Sequence, residues 1–363
     1  MRLQSFINQH LLQRTGISYM LYPLSLVYSK IVLYKLQRDE KRQSKAAVPV
    51  ISIGNIVSGG SGKTPLTISL VRMLSEAGIK AAISHRGYKG RYEHSLHIVR
   101  GSEGLLDSAA ELGDEAYMLA TQLPDTPVAV GKNRKLAVLA LLKRYPETRV
   151  VVLDDALQNR KLYHDLDLVS FNLEQGLGNG WTIPAGYLRE PLSSLKRNFV
   201  AVINSKAAEP DFEVLREKLK ARCDRVFCAR ALPLGLLSPS GDPIALESVR
   251  KAALISAIAS PGSFEALARQ MGLNISKHFI FVDHYNYQDK NEILKITQWC
   301  REQQITRLIC TQKDLMKLEL HKELRALLAY IPIRLQFEDR EALKQVVLGV
   351  VENGLMSPIG TEF

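Results

Sequence analysis

The chain is 363 residues long, enough for two domains of ordinary size, and its 46% apolar and 23% charged side chains suit a globular protein with a real core. With 48 basic against 37 acidic residues the net charge is +11, which favours an anionic partner: nucleic acid, a phospholipid surface or a phosphorylated substrate. The basic residues are spread along the chain and no nucleic-acid motif accompanies them, so nucleic acid is not expected as a partner. Cys223, Cys228, Cys300 and Cys310 make no CxxC pair and no zinc spacing, and are expected to be reduced, partly buried thiols.

From Gly16 to Ser29 the chain is uncharged and carries Tyr19, Met20, Leu21, Tyr22, Leu24, Leu26, Val27 and Tyr28, until Lys30 ends the run. These fourteen residues fall short of the roughly 20 needed to span a bilayer, and no small-residue cleavage site follows. At 100° per residue Arg14, Ser18, Ser25 and Ser29 share one stripe, so the expected helix is amphipathic. A peripheral membrane helix is expected, with tyrosines at headgroup level and Lys30, Lys35, Arg38, Lys41, Arg42 and Lys45 meeting anionic lipid. The competing reading is a helix packed on the protein's own core, kinked at Pro23.

Residues 48–53 read as a short buried strand, followed by a glycine-rich loop and a helical pattern from Pro65 to about Ala77, closed by Gly78. Strands at 80–84, 127–130, 149–153, 166–171 and 199–204 alternate with helices at 111–122 and 133–145, which predicts a parallel sheet covered on both faces. Residues 229–246 are rich in Pro, Gly and Ser and read as a linker. A second strand–helix series follows, through 252–257, 264–271, 277–282, 290–301 and 308–311. The predicted organisation is an N-terminal segment (1–47), a P-loop domain (48–228), a linker (229–246) and a smaller α/β domain (247–363).

The strongest chemical signal is Gly59-Gly60-Ser61-Gly62-Lys63-Thr64 between a strand and a helix. Glycines let the backbone wrap so that its N–H groups meet phosphate oxygens. Lys63 reaches the β/γ-phosphates and the Thr64 hydroxyl suits Mg²⁺. Pro65 lies in the first helical turn, where a missing N–H costs nothing. The strict pattern has glycine where this chain has Val57. The second signal is the apolar run Val150–Leu153 ending in Asp154 and Asp155, a Walker B strand whose acids reach the metal; which acid does which is not legible. Together these residues predict an ATP–Mg²⁺ site and phosphoryl transfer. Asp114, Glu115, Asp283, His284, Arg86, Arg189 and Glu190 are all candidates for handling the acceptor, and spacing alone does not choose among them.

An ordered series of motifs resembles the tetraacyldisaccharide 4′-kinases, which phosphorylate the lipid A precursor disaccharide. It comprises Ile53-Gly54-Asn55 leading into the glycine loop, Ser84–Tyr88 (SHRGY), Gly113-Asp114-Glu115, Leu153–Gln158, Pro184–Pro191 (PAGYLREP), Asp283-His284 with Tyr287, and Thr311-Gln312-Lys313-Asp314. The resemblance implies two α/β/α domains with a cleft between them and a peripheral enzyme on the cytoplasmic face of the bacterial inner membrane. It implies an acid–base dyad of Asp114 and His284 acting on the sugar 4′-hydroxyl, with catalysis depending on closure of the domains. Asp154 and Asp155 would serve Mg²⁺, and Arg86, Gln158, Arg189 and Glu190 would bind substrate. A monomer is expected. Where the family has GFQHR, this chain has Ala156-Leu157-Gln158-Asn159-Arg160. The alternative is a P-loop ATPase acting as a nucleotide-dependent switch or membrane-partitioning protein, distinguished by whether phosphate reaches an acceptor.

Overall fold

Runs of β-branched and aliphatic residues that are apolar on both faces belong inside parallel sheets, where helices cover each side. The computed structural model describes residues 10–105, 107–195, 199–207, 209–283 and 285–356. It divides into two compact units: unit 1 holds the chain up to Ser205, Pro210–Ala229 and the segment from Phe337; unit 2 holds Lys206–Glu209 and Arg230–Gln336.

In unit 1, β1 (Val50–Gly54), β2 (Ala81–His85), β4 (Val128–Val130), β5 (Val150–Asp154), β6 (Leu166–Asn172) and β7 (Val200–Ser205) pair in parallel. The antiparallel β3 (His97–Val99) closes one edge. β8 (Arg225–Pro233) and β15 (Ile333–Phe337), each of which straddles a limit of unit 1, complete the nine-stranded order β15-β8-β7-β6-β1-β5-β2-β4-β3. The period of two assigns the faces. Val50, Val151 and Leu153 cluster with Val138 and Leu142 of α5 (Arg134–Arg144). On the other face Asp154 meets Thr67 of α2 (Lys63–Glu76). Helices thus cover both sides, as the apolar runs require.

Unit 2 repeats the principle with six strands, β9 (Leu236–Leu237), β10 (Pro243–Ile244), β11 (Ala252–Ser256), β12 (Ile275–Ile280), β13 (Arg307–Thr311) and β14 (Leu328–Ile331), ordered β10-β9-β14-β13-β11-β12. Its central β11 (Ala252–Ser256) puts Ala253 and Ile255 against α8 (Lys290–Glu302) and Ala252 and Leu254 against α7 (Pro261–Gln270). Two expected boundaries are corrected. The stretch 229–246 is no linker: it carries the end of β8, β9 (Leu236–Leu237) and β10 (Pro243–Ile244), whose backbones are used in sheet pairing. The C-terminal segment from Phe337, expected in the smaller domain, clusters with unit 1, where α10 (Arg340–Met356) packs on α2. All four cysteines are buried free thiols.

The N-terminal helix α1 is longer than its uncharged run, spanning Gly16–Glu40, which makes it long and apolar enough to cross a membrane by length and composition. Its serine stripe faces inward. Ser25 Oγ donates to Thr182 O at 2.8 Å and accepts from Ala185 N at 2.9 Å, and Ser29 Oγ lies 2.8 Å from Thr182 Oγ1. Tyr28 OH donates to Arg189 O at 2.9 Å. Tyr19, Met20, Leu24, Val27, Ile31 and Tyr34 stay exposed. The polar stripe is satisfied by protein, leaving the apolar face bare. Ser25→Ala strands a buried N–H and is expected to destabilise the protein by about 1–3 kcal/mol in a denaturation experiment, whereas Leu24→Ala on the bare face stays within about 0.5 kcal/mol.

Candidate active site

A phosphate-binding loop needs a backbone that turns tightly and a helix that begins immediately after it. Gly59 and Gly62 both have positive φ, at 118° and 77°, and Gly62 caps α2 in the left-handed region, where a side chain is strained. The first intrahelical bond runs from Leu66 N to Gly62 O, so Pro65 displaces no donor. Val57 has an account too. It is buried and bridges antiparallel to Leu188, so the chain is still sheet-like there and the loop turns only beyond Ser58. Ser58 is held from both sides, its N–H by Tyr187 O at 2.8 Å and its carbonyl by Gln175 Nε2 at 2.8 Å.

The acids close β5 beside this loop. Asp154 is fully buried; its Oδ1 accepts from Thr67 Oγ1 at 2.9 Å and from Asp155 N at 3.1 Å, while Oδ2 accepts no hydrogen bond among the described residues. Burial raises its pKa, with Glu115 adding to the rise and His85 opposing it. Asp155 has φ of 47° and turns its Oδ1 to 3.6 Å from both Lys63 Nζ and Arg189. Burial pushes its carboxyl up, but Lys63 and Arg189 outweigh burial and hold it below the ordinary range.

Three residues of the expected substrate set gather around Asn55, which is wholly buried. Its Oδ1 accepts from Lys63 Nζ at 3.3 Å and Arg189 at 3.1 Å, so one amide oxygen sets the spacing of two cations. Gln158 Nε2 donates to Asn55 O at 2.9 Å and to Glu190 Oε1 at 2.6 Å. Glu190, expected to line the site, is instead fully buried, its second oxygen taken by Ser194 Oγ at 2.7 Å. Its observed work is to hold Gln158. Ala156 and Leu157, which replace the family's Gly and Phe, are buried in the apolar core.

Asp114 opens helix α4 (Asp114–Gln122) directly after α3 (Ala109–Leu112). Gly113 between them has φ of 85°, and a Cβ there would sit 2.9 Å from Tyr88 O. The SHRGY loop therefore packs against the backbone that presents Asp114. Arg86 projects from the same loop, about half exposed, and donates to Glu93 Oε1 at 2.7 Å. His284 lies outside the described residues. In unit 2, Asp314 of the TQKD run turns inward, accepting from Tyr287 OH at 3.0 Å, Ala257 N at 3.1 Å and Thr311 Oγ1 at 2.6 Å. Burial raises its pKa.

Residues 17–352 match the family model described as tetraacyldisaccharide-1-P 4′-kinase. The chain belongs to this family. A tetraacyldisaccharide 4′-kinase of Pelodictyon phaeoclathratiforme is 33% identical over 349 residues, covering 91% of this chain and 97% of that protein. One from Acidovorax sp. is 34% identical over 317 residues, covering 84% and 83%. The crystal structure of LpxK from Aquifex aeolicus in complex with ATP superposes with a TM-score of 0.74 at 27% identity, covering 92% of this chain and 99% of that one.

The candidate site carries residues that spacing did not point to. Arg134 is buried, donates to Asp154 O at 2.7 Å, and burial pushes its pKa down to about 10 although Asp154 and Asp155 oppose this. His85 is buried with Nδ1 accepting from Gly87 N at 2.9 Å and Nε2 lying 3.3 Å from Glu115 Oε2. The Gly87 N–H leaves only Nε2 to carry the proton in the neutral ring. Within the family resemblance, His85 was legible as part of SHRGY, Arg134 only from the fold. Long-range ¹⁵N–¹H correlation spectra of histidine-labelled protein at neutral pH are expected to show His85 as the Nε2–H tautomer.

Proposed function

We propose that this chain transfers the γ-phosphoryl group of ATP to the 4′-hydroxyl of the tetraacyldisaccharide 1-phosphate precursor of lipid A, working at a membrane surface. The chain is a kinase of lipid A synthesis, and ATP is its phosphoryl donor. The observation that carries the site assignment is the convergence of the glycine loop, Lys63 and two acids whose Asp154 Oδ2 and Asp155 Oδ1 accept no hydrogen bond.

Those two oxygens, neither taken by a hydrogen bond among the described residues, and the buried Thr64 form a hard oxygen set that fits Mg²⁺. Among the described residues no group of three or more His, Cys, Asp or Glu side chains converges on a metal. Mg²⁺ is commonly held by one or two carboxylates together with substrate phosphates, and two acids suffice for it. When bound, Mg²⁺ neutralises phosphate charge during transfer. Lys63 and Arg189, spaced by Asn55, supply positive charge where the phosphoryl group carries its negative charge. The loop N–H groups and the α2 N-terminus hold the phosphates. Asp114, placed at a helix start by the SHRGY loop, accepts the proton of the acceptor hydroxyl, with His284 as its partner in the dyad. Arg86 and Gln158 orient the acceptor.

Membrane attachment is read from α1. Its bare face of Tyr19, Met20, Leu24, Val27, Ile31 and Tyr34 leads into exposed Lys35 and Arg38, the arrangement of an interfacial helix. The active site belongs on the cytoplasmic side, where ATP is available.

The test is incubation with ATP, Mg²⁺ and the disaccharide lipid in detergent; slow ATP hydrolysis without phosphorylated lipid would leave the switch-protein alternative standing. Lys63→Ala is expected to remove transfer, a loss of several kcal/mol of transition-state stabilisation. Asp114→Ala is expected to lower kcat far more than ATP affinity, and a parallel loss of ATP binding would make Asp114 structural. Replacing Leu24 and Val27 together by Asp is expected to move the protein from vesicles to the soluble fraction in flotation, with its melting temperature unchanged.

A further inference from the structure

The carbonyl of Ser61, inside the glycine loop, is gripped from behind. Ser170 Oγ on β6 hydrogen-bonds to it, and Asn204 Nδ2 at the end of β7 donates to it at 3.0 Å. The same Nδ2 donates to Ser170 Oγ at 2.8 Å. Both amide hydrogens are therefore spent. Because a carbonyl oxygen can only accept, the nitrogen must face Ser61, and the orientation of the Asn204 amide follows from chemistry. Its Oδ1 is left over: the side chain is 6% exposed and Oδ1 accepts no hydrogen bond among the described residues. A buried amide oxygen without a donor costs free energy, and its persistence beside a ligand site needs an explanation.

The sheet order says which part of the nucleotide lies on this side. Asp154 ends β5 and Asp155 follows it, to one side of β1, and Lys63 is drawn toward Asp155. β6 and β7 stand on the other side of β1. A ligand of a parallel sheet lies across the carboxyl ends of its strands. With the terminal phosphate at Lys63 and the acids, the base extends toward the ends of β6 and β7. Neighbouring polar groups there are engaged: Asn172 Oδ1 accepts from Gln175 N at 2.9 Å and Ser205 Oγ donates to Glu174 at 2.7 Å. Ser61 Oγ also has no hydrogen bond among the described residues, but it sits in the glycine loop itself.

We propose that Asn204 selects the nucleotide base, its Oδ1 accepting a hydrogen bond from the exocyclic amine of adenine while its Nδ2 holds the glycine loop. An acceptor in this position welcomes the 6-amino group of adenine and opposes the 6-keto oxygen of guanine. One side chain thus ties base identity to loop geometry. The proposal rests on the reading of this chain as an ATP-dependent lipid kinase.

The full chain is assayed on the disaccharide lipid with ATP, with purine riboside triphosphate, which lacks the 6-amino group, and with GTP. The wild type is expected to favour ATP over purine riboside triphosphate by about tenfold in kcat/KM, the worth of one hydrogen bond, and to use GTP less well still. Asn204→Ala is expected to bring ATP and purine riboside triphosphate to near equality. Ser170→Ala, which loosens only the grip on the loop, is expected to lower both alike and keep their ratio. Where the alanine variant fails to fold, Asn204→Ser, which keeps a donor for Ser61, takes its place. Equal use of the two purines by the wild type, or an Asn204 variant that retains the full preference, overturns the proposal. Absence of transfer from every nucleotide would instead refute the kinase reading.

Discussion

The carboxylate of Asp154, wholly buried with one oxygen uncommitted, is the constraint around which unit 1 is arranged. A buried carboxylate is costly unless neighbours offset it. The neighbours come from four places: Thr67 on α2, the backbone N–H of Asp155, Arg134 on α5 through the Asp154 carbonyl, and His85 on β2 at 3.9 Å. Each of these elements must pack in register for the acid to be tolerated. The offset remains incomplete, since burial still raises the Asp154 pKa. The oxygen left without a donor is what suits this position to a cation.

Asp155, one residue on, is governed by the opposite balance. Lys63 and Arg189 overcome its burial and keep it ionised. Asn55 shares both cations with the acid, because its single amide oxygen accepts from each and so fixes their positions beside Asp155. Catalysis by charge stabilisation depends on such prior ordering more than on the number of charges present.

The segment 182–194 joins this chemistry to the N-terminal helix. Along its length Thr182, Ala185 and the Arg189 carbonyl bond to α1, while Tyr187 O and Arg189 N bond to the chain leading into the glycine loop. The PAGYLREP motif is therefore bonded at once to α1 and to the chain that leads into the glycine loop. Its signature residues are divided accordingly. Arg189 reaches Asp155, whereas Glu190 turns into the core to hold Gln158.

Sequence by itself determined what is local. The glycine loop, the paired acids, the strand–helix alternation and the apolar helix are each written in a contiguous window, where residue type and spacing suffice. Tertiary structure decided what depends on partners far along the chain. A helical wheel places Ser25 and Ser29 on one stripe but does not say whether water or protein meets it; Thr182 and Ala185 settle that, more than 150 residues away, and leave the apolar face outward. Likewise Pro, Gly and Ser at 229–246 suggested a linker because short edge strands are made by backbone pairing, which composition does not reveal. The return of the C-terminal segment to unit 1, the buried Arg134 and the amide clamps of Asn55 and Asn204 belong to the same class. Their signal is a hydrogen bond between distant positions, and such a bond exists only once the chain has folded.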